Sequence, residues 1–351
     1  MELHDSTVIG GGQAGLSASY HLKRRGVEHL VLDANADPGG AWQHRWPSLS
    51  MHDVHGVADL PGLERAEGDD TVAAREAVPA YFATYEQTFD LPIVRPVEVG
   101  EVTDDDGILV VRAGERTWRT RTLVNATGTW TRPFIPYYPG IETFAGRQLH
   151  TVDFTRPEDF RGQRVLVVGG GQSAVQFLGQ LAPVTDTVWV TRHEPRWRTE
   201  EFTPEAGRAA VALVEDRVRQ GLPPRSVVSV TGLLLRPQEE EARRLGAYER
   251  RPMFSRIEPD GVRWTDGTFE QVDAILWATG FRHAIDHLAP LRLRSPRGGI
   301  QLDGTTAVAD PRVQLVGYGP SASTIGANRA GRSAAIGVVR WLADDAATLA
   351  G

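Results

Sequence analysis

Two glycine-rich runs and one histidine carry the residues best suited to chemistry. Gly10-Gly11-Gly12-Gln13-Ala14-Gly15 and Gly169-Gly170-Gly171-Gln172-Ser173-Ala174 each follow a short apolar run and each open a helical pattern. Gly10 makes a tight turn, Gly12 lets the backbone approach a pyrophosphate, and Gly15 lets helix and strand pack closely. Gly169, Gly171 and Ala174 repeat that spacing. The N-terminus of a helix that follows such a loop offers N–H groups and a positive dipole end to phosphates. Two such loops predict two dinucleotides in one chain. Between them lies Phe144-Ala-Gly-Arg-Gln-Leu-His150-Thr-Val-Asp-Phe154. Alone, this stretch reads as a linker with a turn glycine and a satisfied histidine. Flanked by two dinucleotide loops, it must join the units that hold them.

The residue closing each second strand separates the two ligands. His29-Leu30-Val31-Leu32-Asp33 ends in an acid about 20 residues after the first loop, where a ribose-diol acceptor belongs. Thr187-Val188-Trp189-Val190-Thr191 ends instead in Arg192, which suits a 2′-phosphate through charge-assisted hydrogen bonds, or else is one more surface arginine. His52 and His55 have a helical metal-ligand spacing but no third ligand, so no metal is expected. Asp104-Asp105-Asp106-Gly107 reads as a solvated hairpin tip.

Five segments together carry a family resemblance: Gly39-Gly40-Ala41-Trp42, Ser48-Leu49-Ser50-Met51-His52-Asp53, Ala126-Thr127-Gly128, Phe144 to Phe154, and Ala278-Thr279-Gly280-Phe281. They resemble the GGxW, FxGxxxHxxxF and paired Ala-Thr-Gly segments of the class B flavin monooxygenases. The run from Ser48 to Pro61 is similar to plant auxin-forming flavin monooxygenases, and Gly39-Gly40-Ala41-Trp42 with Trp46-Pro47-Ser48-Leu49 is similar to flavoproteins of bacterial arsenic-resistance operons. The resemblance implies FAD at the first loop and NADPH at the second. For FAD it implies Gly10, Gly12, Gln13, Ala14, Gly15, Asp33, Ala34, Gly40, Trp42, His52, Asp53, Thr127 and Gly128. Trp42 either walls the isoalloxazine or packs. For NADPH it implies Gly169, Gly171, Gln172, Ser173, Ala174, Thr191 and Arg192, with Thr279 and Gly280 at the second crossing. Related disulfide reductases end their last strand in Gly-Asp, whose acid holds the ribityl chain; Tyr318-Gly319 stands in its place here, which puts Tyr318 at the cofactor without that acid. The final helix, opening near Ser321-Ala322-Ser323-Thr324-Ile325, either faces N1 and C2=O of the flavin or is simply well capped.

The elements that must position these residues follow. The 351 residues, 41% hydrophobic and 24% charged, suit two domains with sizeable cores, and the resemblance implies an α/β protein with two Rossmann-like dinucleotide-binding domains. The expected division is 1–155 for the first part of the FAD domain, 156–280 for an inserted NADPH domain, and 281–351 for the second part of the FAD domain. Val78-Pro79 is expected to open a helix with Phe82, Tyr85 and Phe89 as its core stripe. Strand-like segments cover 92–102, 108–113 and 117–124, and Gly261–Gly267 reads as a hairpin. Residues 200–250 look helical, with an apolar stripe from Ala209 to Val214 and no assignable chemistry.

Composition excludes several classes. A net charge of −7 without a basic block argues against a nucleic-acid partner. The absence of cysteine removes a redox disulfide and a thiolate nucleophile, and Lys23 as the sole lysine disfavours Schiff-base chemistry. No apolar run is long enough for a membrane span, and the first strand starts too early for a signal peptide, so a cytoplasmic location is expected.

The resemblance implies an NADPH-dependent monooxygenase. Hydride passes to flavin N5, O₂ adds at C4a, and the C4a-hydroperoxyflavin gives one oxygen atom to a small molecule. His150 supports the NADP side and couples the domains, with His52 near the reactive edge of the flavin. Phe154-Thr155 replaces the Trp that type I Baeyer–Villiger enzymes carry, which favours an N or S substrate, with carbonyl and keto-acid substrates remaining open. The rival is an NAD(P)H-dependent flavoprotein reductase serving a quinone or an iron–sulfur partner. A cofactor-binding sensor without turnover is a third reading. Homo-oligomers are a habit of the family.

Overall fold

The computed structural model describes residues 2–54, 57–66, 68–198, 204–224, 232–322 and 324–350. In chain order the first elements are β1 (Leu3–Ile9), α1 (Gln13–Lys23), β2 (His29–Leu32), α2 (Ala74–Thr88), β3 (Ile93–Val94), β4 (Glu101–Asp105), β5 (Ile108–Ala113) and β6 (Arg116–Asn125). Then come β7 (Arg147–His150), β8 (Arg164–Val168), α3 (Gln172–Leu181), β9 (Asp186–Val190), α4 (Pro204–Arg219), β10 (Arg250–Arg251), β11 (Arg256–Glu258), β12 (Gly261–Arg263), β13 (Phe269–Gln271) and β14 (Ala274–Trp277). The chain closes with β15 (Leu302–Asp303), β16 (Thr306–Ala307), β17 (Asp310–Leu315) and the C-terminal helix Thr324–Ala350.

Among the described residues the strands form three sheets. The first has nine strands in the order β15-β16-β17-β6-β1-β2-β3, with the β4–β5 hairpin attached to β6. Its centre, β17-β6-β1-β2-β3, is parallel. The second, β10-β9-β8-β14-β7, is parallel throughout. The third is the antiparallel meander β11-β12-β13. Val165–Val168 and Ala274–Trp277 are buried without alternation, as parallel strands covered on both faces must be. Helix α1 lies against the C-terminal helix at close range. A Cβ on Gly331 would come 2.5 Å from Ser17 Oγ, and Ser17 Oγ donates to Asn328 O at 3.1 Å.

Four expectations change. Arg147–His150, expected to belong to the linker of the first unit, is the edge strand of the second sheet and runs parallel to β14. Pro79 lies inside α2 instead of opening it. The helix start is set earlier, where Ala74 N–H donates to Leu49 O at 2.8 Å, and the Pro79 ring is the surface on which Gly39 packs. The segment 92–102 is two strands: β3 joins β2, whereas β4 pairs with β5. In the α4 stripe Val214 is buried but Leu213 is 61% exposed. His55, Ser323 and residues 225–231 lie outside the described residues, as do the side chains of Thr324 and Ile325.

The other expected elements appear. Phe82 and Tyr85 are buried in the core with Phe89 packed against it. Asp106 and Gly107, with φ of 49° and 86°, turn the β4–β5 hairpin. Asp104 there is tied to Arg312.

Candidate active site

The two glycine loops are built alike. After β1, Gly10 has φ +103°, and a Cβ there would come 2.6 Å from Ala126 O. After β8, Gly169 has φ +152°, and a Cβ there would come 2.2 Å from Ala278 O. Each loop is therefore seated on the carbonyl of an Ala-Thr-Gly segment, and only glycine permits that approach. Trp189 Nε1 fixes the second loop by donating to Gly169 O at 2.8 Å. The first glutamine of each helix ties it to a distant loop: Gln13 Nε2 donates to Ala58 O, and Gln172 Nε2 to Leu234 O.

Both loops fit a dinucleotide. Neither α1 nor α3 has a side-chain cap or a first-turn acid, so their leading N–H groups face outward for an acceptor. A Cβ on Gly171 would meet nothing within 4 Å, and one on Gly12 only the Gly40 Cα at 3.8 Å. The GGxW run thus passes directly over the first loop.

Asp33 is buried at the end of β2, as expected for a ribose acceptor, but it is not alone. Its Oδ2 accepts from Arg95 Nε at 3.0 Å and its Oδ1 from Asn35 Nδ2 at 3.1 Å. Arg95 also forks onto Glu86, at 2.7 Å for both bonds. A carboxylate has about four acceptor positions, so a diol can still be received. Ala34 beside it is exposed. At the corresponding end of β9, Thr191 is buried and accepts from Arg250 Nε at 2.8 Å. Arg192 is exposed and makes no side-chain hydrogen bond or ion pair with the described residues.

The segments that join the sheets converge on His150. Its Nε2 donates to Gly280 O at 2.9 Å, while its backbone N–H donates to Asp153 Oδ2 at 2.8 Å. That leaves Nδ1 as a buried acceptor without a partner. The ring is 2% exposed, and burial lowers its pKa below the usual histidine value. Phe281 meets it edge-on at 4.9 Å and stacks on Trp130 at 5.1 Å. The Arg45 guanidinium lies 4.5 Å from the Trp130 ring centre and 5.3 Å from that of Trp42. Backbone bonds stitch the two crossings together: Phe134 N–H to Gly280 O, and Ala284 N–H to Gly128 O, both 3.0 Å. Thr127 Oγ1 and Thr279 Oγ1 donate to Ala284 O and Phe134 O.

His52 is exposed, and its segment is held from the other side of the molecule. Arg236 donates to the carbonyl oxygens of Asp53 and Val54 at 2.6 and 3.2 Å, and Gln176 donates to Asp53 O at 2.9 Å. Asp53 itself accepts from Ser50 Oγ at 2.6 Å. Tyr318 is buried, its hydroxyl accepting from Ile300 N–H at 3.0 Å and its ring against His283, so that side chain is engaged within the fold. Arg45, Arg95, Trp130 and Arg236 were not singled out from the sequence. Arg45 stands three residues after Trp42, a proximity that was available as a signal; the others become visible only in three dimensions.

Residues 7–221 match the model of a family described as pyridine nucleotide-disulphide oxidoreductase. A flavin-containing monooxygenase from Stenotrophomonas maltophilia shares 38% identity, with a TM-score of 0.84 over 97% of this chain and 100% of that one. An indole-3-pyruvate monooxygenase from Oryza sativa subsp. japonica is 27% identical over 79% of this chain and 76% of its own length. A ferredoxin–NADP reductase from Limosilactobacillus fermentum is also 27% identical, over 91% of this chain and 86% of its own. A chain without cysteine has no disulfide to exchange, and the correspondence with the Stenotrophomonas enzyme runs through nearly every residue. The chain therefore belongs to the pyridine nucleotide-disulphide oxidoreductases and, among them, to the flavin-dependent monooxygenases.

Proposed function

We propose that this enzyme uses NADPH, FAD and O₂ to place one oxygen atom on a small organic molecule with a nucleophilic nitrogen or sulfur centre, or with a carbonyl or keto-acid group. The observation that carries this reading is His150, hydrogen-bonded to the second crossing and covered by Phe281. A buried coupling of the two crossings suits a reaction that must keep a reduced, oxygen-sensitive cofactor away from water.

When bound, FAD supplies hydride acceptance and oxygen chemistry at its C4a position. The chain's own residues bind and orient. The N–H groups at the start of α1 hold the FAD pyrophosphate, and Asp33, steadied by Arg95, takes the ribose diol. The start of α3 holds the NADPH pyrophosphate, and Arg192 takes the 2′-phosphate. His150 stays neutral and keeps Gly280, and with it the second crossing, in register with β7. Residues 156–280 are assigned to the NADPH side, with 1–155 and 281–351 forming the FAD side, except that β7 hydrogen-bonds into the NADPH-side sheet.

The similarity to a ferredoxin–NADP reductase keeps a second reading in view, in which electrons pass to a protein or quinone acceptor. One experiment separates them. The enzyme is reduced with NADPH without oxygen and mixed rapidly with aerated buffer. A flavin absorbance that differs from both the oxidised and the reduced forms and outlives mixing supports the oxygenase. Direct reoxidation with stoichiometric peroxide, with and without candidate substrates, supports the reductase.

A further inference from the structure

Arg45 is a cation with no anion among the described residues. Three other arginines set into this fold hold two carboxylates each: Arg95 holds Asp33 and Glu86, Arg121 holds Asp5 and Asp345, and Arg312 holds Asp310 and Asp104. Arg45 makes no ion pair and no side-chain hydrogen bond with any described residue, and its Nε is sealed from solvent without a partner. Burial pulls the guanidinium down to about 10. Trp42 and Trp130 stabilise the cation through their rings, yet a π face leaves most of a guanidinium's five N–H donors unmatched. Nε alone of the guanidinium nitrogens is sealed, so the terminal nitrogens stay open to an oxyanion supplied from outside, which a largely desolvated cation favours.

The position of Arg45 says which oxyanion. It lies between the GGxW run and Trp130, and Trp130 leads through Phe281 to His150. On the assignments proposed above, the cofactor phosphates have donors in the first turns of α1 and α3 and in Arg192. The molecule still without a charged partner is the substrate. We propose that Arg45, set between Trp42 and Trp130, receives the carboxylate of the substrate, so that the enzyme acts on small planar organic acids. This rests on the oxygenase reading above, which it narrows. Arginine suits the task because its planar fork meets a carboxylate through two parallel bonds. The two indoles suit the flat remainder of such a molecule.

The test is a binding measurement on the FAD-loaded enzyme, independent of turnover. Benzoate and phenylacetate are titrated against benzamide and phenylacetamide, following the flavin difference spectrum. In the wild type the acids should bind at least about tenfold more tightly than the amides, in line with a hydrogen bond to a charged group. Arg45→Gln should abolish that preference and Arg45→Lys should keep part of it, while FAD content and NADP⁺ affinity stay at wild-type values. Equal binding of acids and amides by the wild type overturns the proposal without needing any variant. Loss of FAD, or about tenfold weaker NADP⁺ binding, in Arg45→Gln overturns it too and assigns Arg45 to a cofactor phosphate. A failed oxygenase reading shows itself separately, as direct reoxidation in the rapid-mixing experiment, whatever the acid preference.

Discussion

Lowering the pH should destabilise this enzyme through two histidines behind the crossing. His287 Nε2 donates to Asn125 Oδ1 at 2.7 Å, and His283 lies against the Tyr318 ring. Burial pushes His287 down to about 4 against the partial pull of Asp286; burial and then Arg294 do the same for His283. Their folded values lie below the ordinary 6.5, so the unfolded chain binds the proton first. Stability is therefore complete above pH 6.5 and falls as the pH drops towards 4. One pH-unit shift is worth about 1.4 kcal/mol, so each ring accounts for about 3 kcal/mol at the acid limit and about 2 kcal/mol at pH 5. Against a typical total of about 5–15 kcal/mol, such a loss is large. Other buried histidines add to the wild-type slope, and His21 is likewise held near 4 by burial and by Arg25, Arg332 and Arg24. The clean readout is thus a difference between variants. Urea unfolding of wild type and His287→Gln, at a fixed excess of FAD, is followed from pH 8 to pH 5. The variant should be less stable at pH 8 by about 1 kcal/mol for the lost hydrogen-bond geometry. That deficit should shrink or reverse by about 2 kcal/mol at pH 5. A stability difference that stays constant over the whole range would refute the reasoning.

Three further outcomes are expected. Arg192→Ala should cost NADPH about ten- to a hundredfold in kcat/KM while leaving NADH nearly untouched, since a 2′-phosphate bonded to arginine is worth about 1.5–3 kcal/mol; an unchanged NADPH/NADH ratio counts against a phosphate role. His150→Ala removes the bond to Gly280 O and should increase the peroxide released per NADPH oxidised, and wild-type coupling in that variant would remove the role given to the ring. Gly169→Ala places a Cβ 2.2 Å from Ala278 O in a backbone region that disfavours side chains. It should lower NADP⁺ affinity by more than about tenfold while FAD remains bound, and unaltered NADP⁺ binding would show that the loop has another way to relax.

What was legible in the sequence was local. The glycine loops were, because turn, approach and helix start are set within six consecutive residues and show in their types. The β4–β5 turn and the buried parallel strands were legible for the same reason. Pairings across long separations were not. Asp33 looked like a free ribose acceptor, since Arg95 reaches it from 62 residues away. Arg45 looked like one arginine among many until Trp130 closed over it. Pro79 by its type belongs at a helix start, but the preceding residues are drawn into helical geometry by a contact with Leu49. The motif marks His150, whereas the strand it ends reads as a linker because four residues carry no alternation with which to declare a sheet.

The sheet order has a consequence for how the chain is made. All five strands of the second sheet fall between residues 147 and 277, so that sheet can close while the ribosome is still adding the last segment. The first sheet cannot. The outer edge of β6 is paired with β5 up to Thr120, but at residues 123–125 it waits for β17, and the free face of α1 waits for the C-terminal helix and Gly331. A nascent chain therefore carries an open, apolar, unpaired edge on the unit that was synthesised first, and its exposure lasts until residue 315 and beyond have emerged. Synthesis stalled after β14 should leave the early half, not the later one, in need of a chaperone.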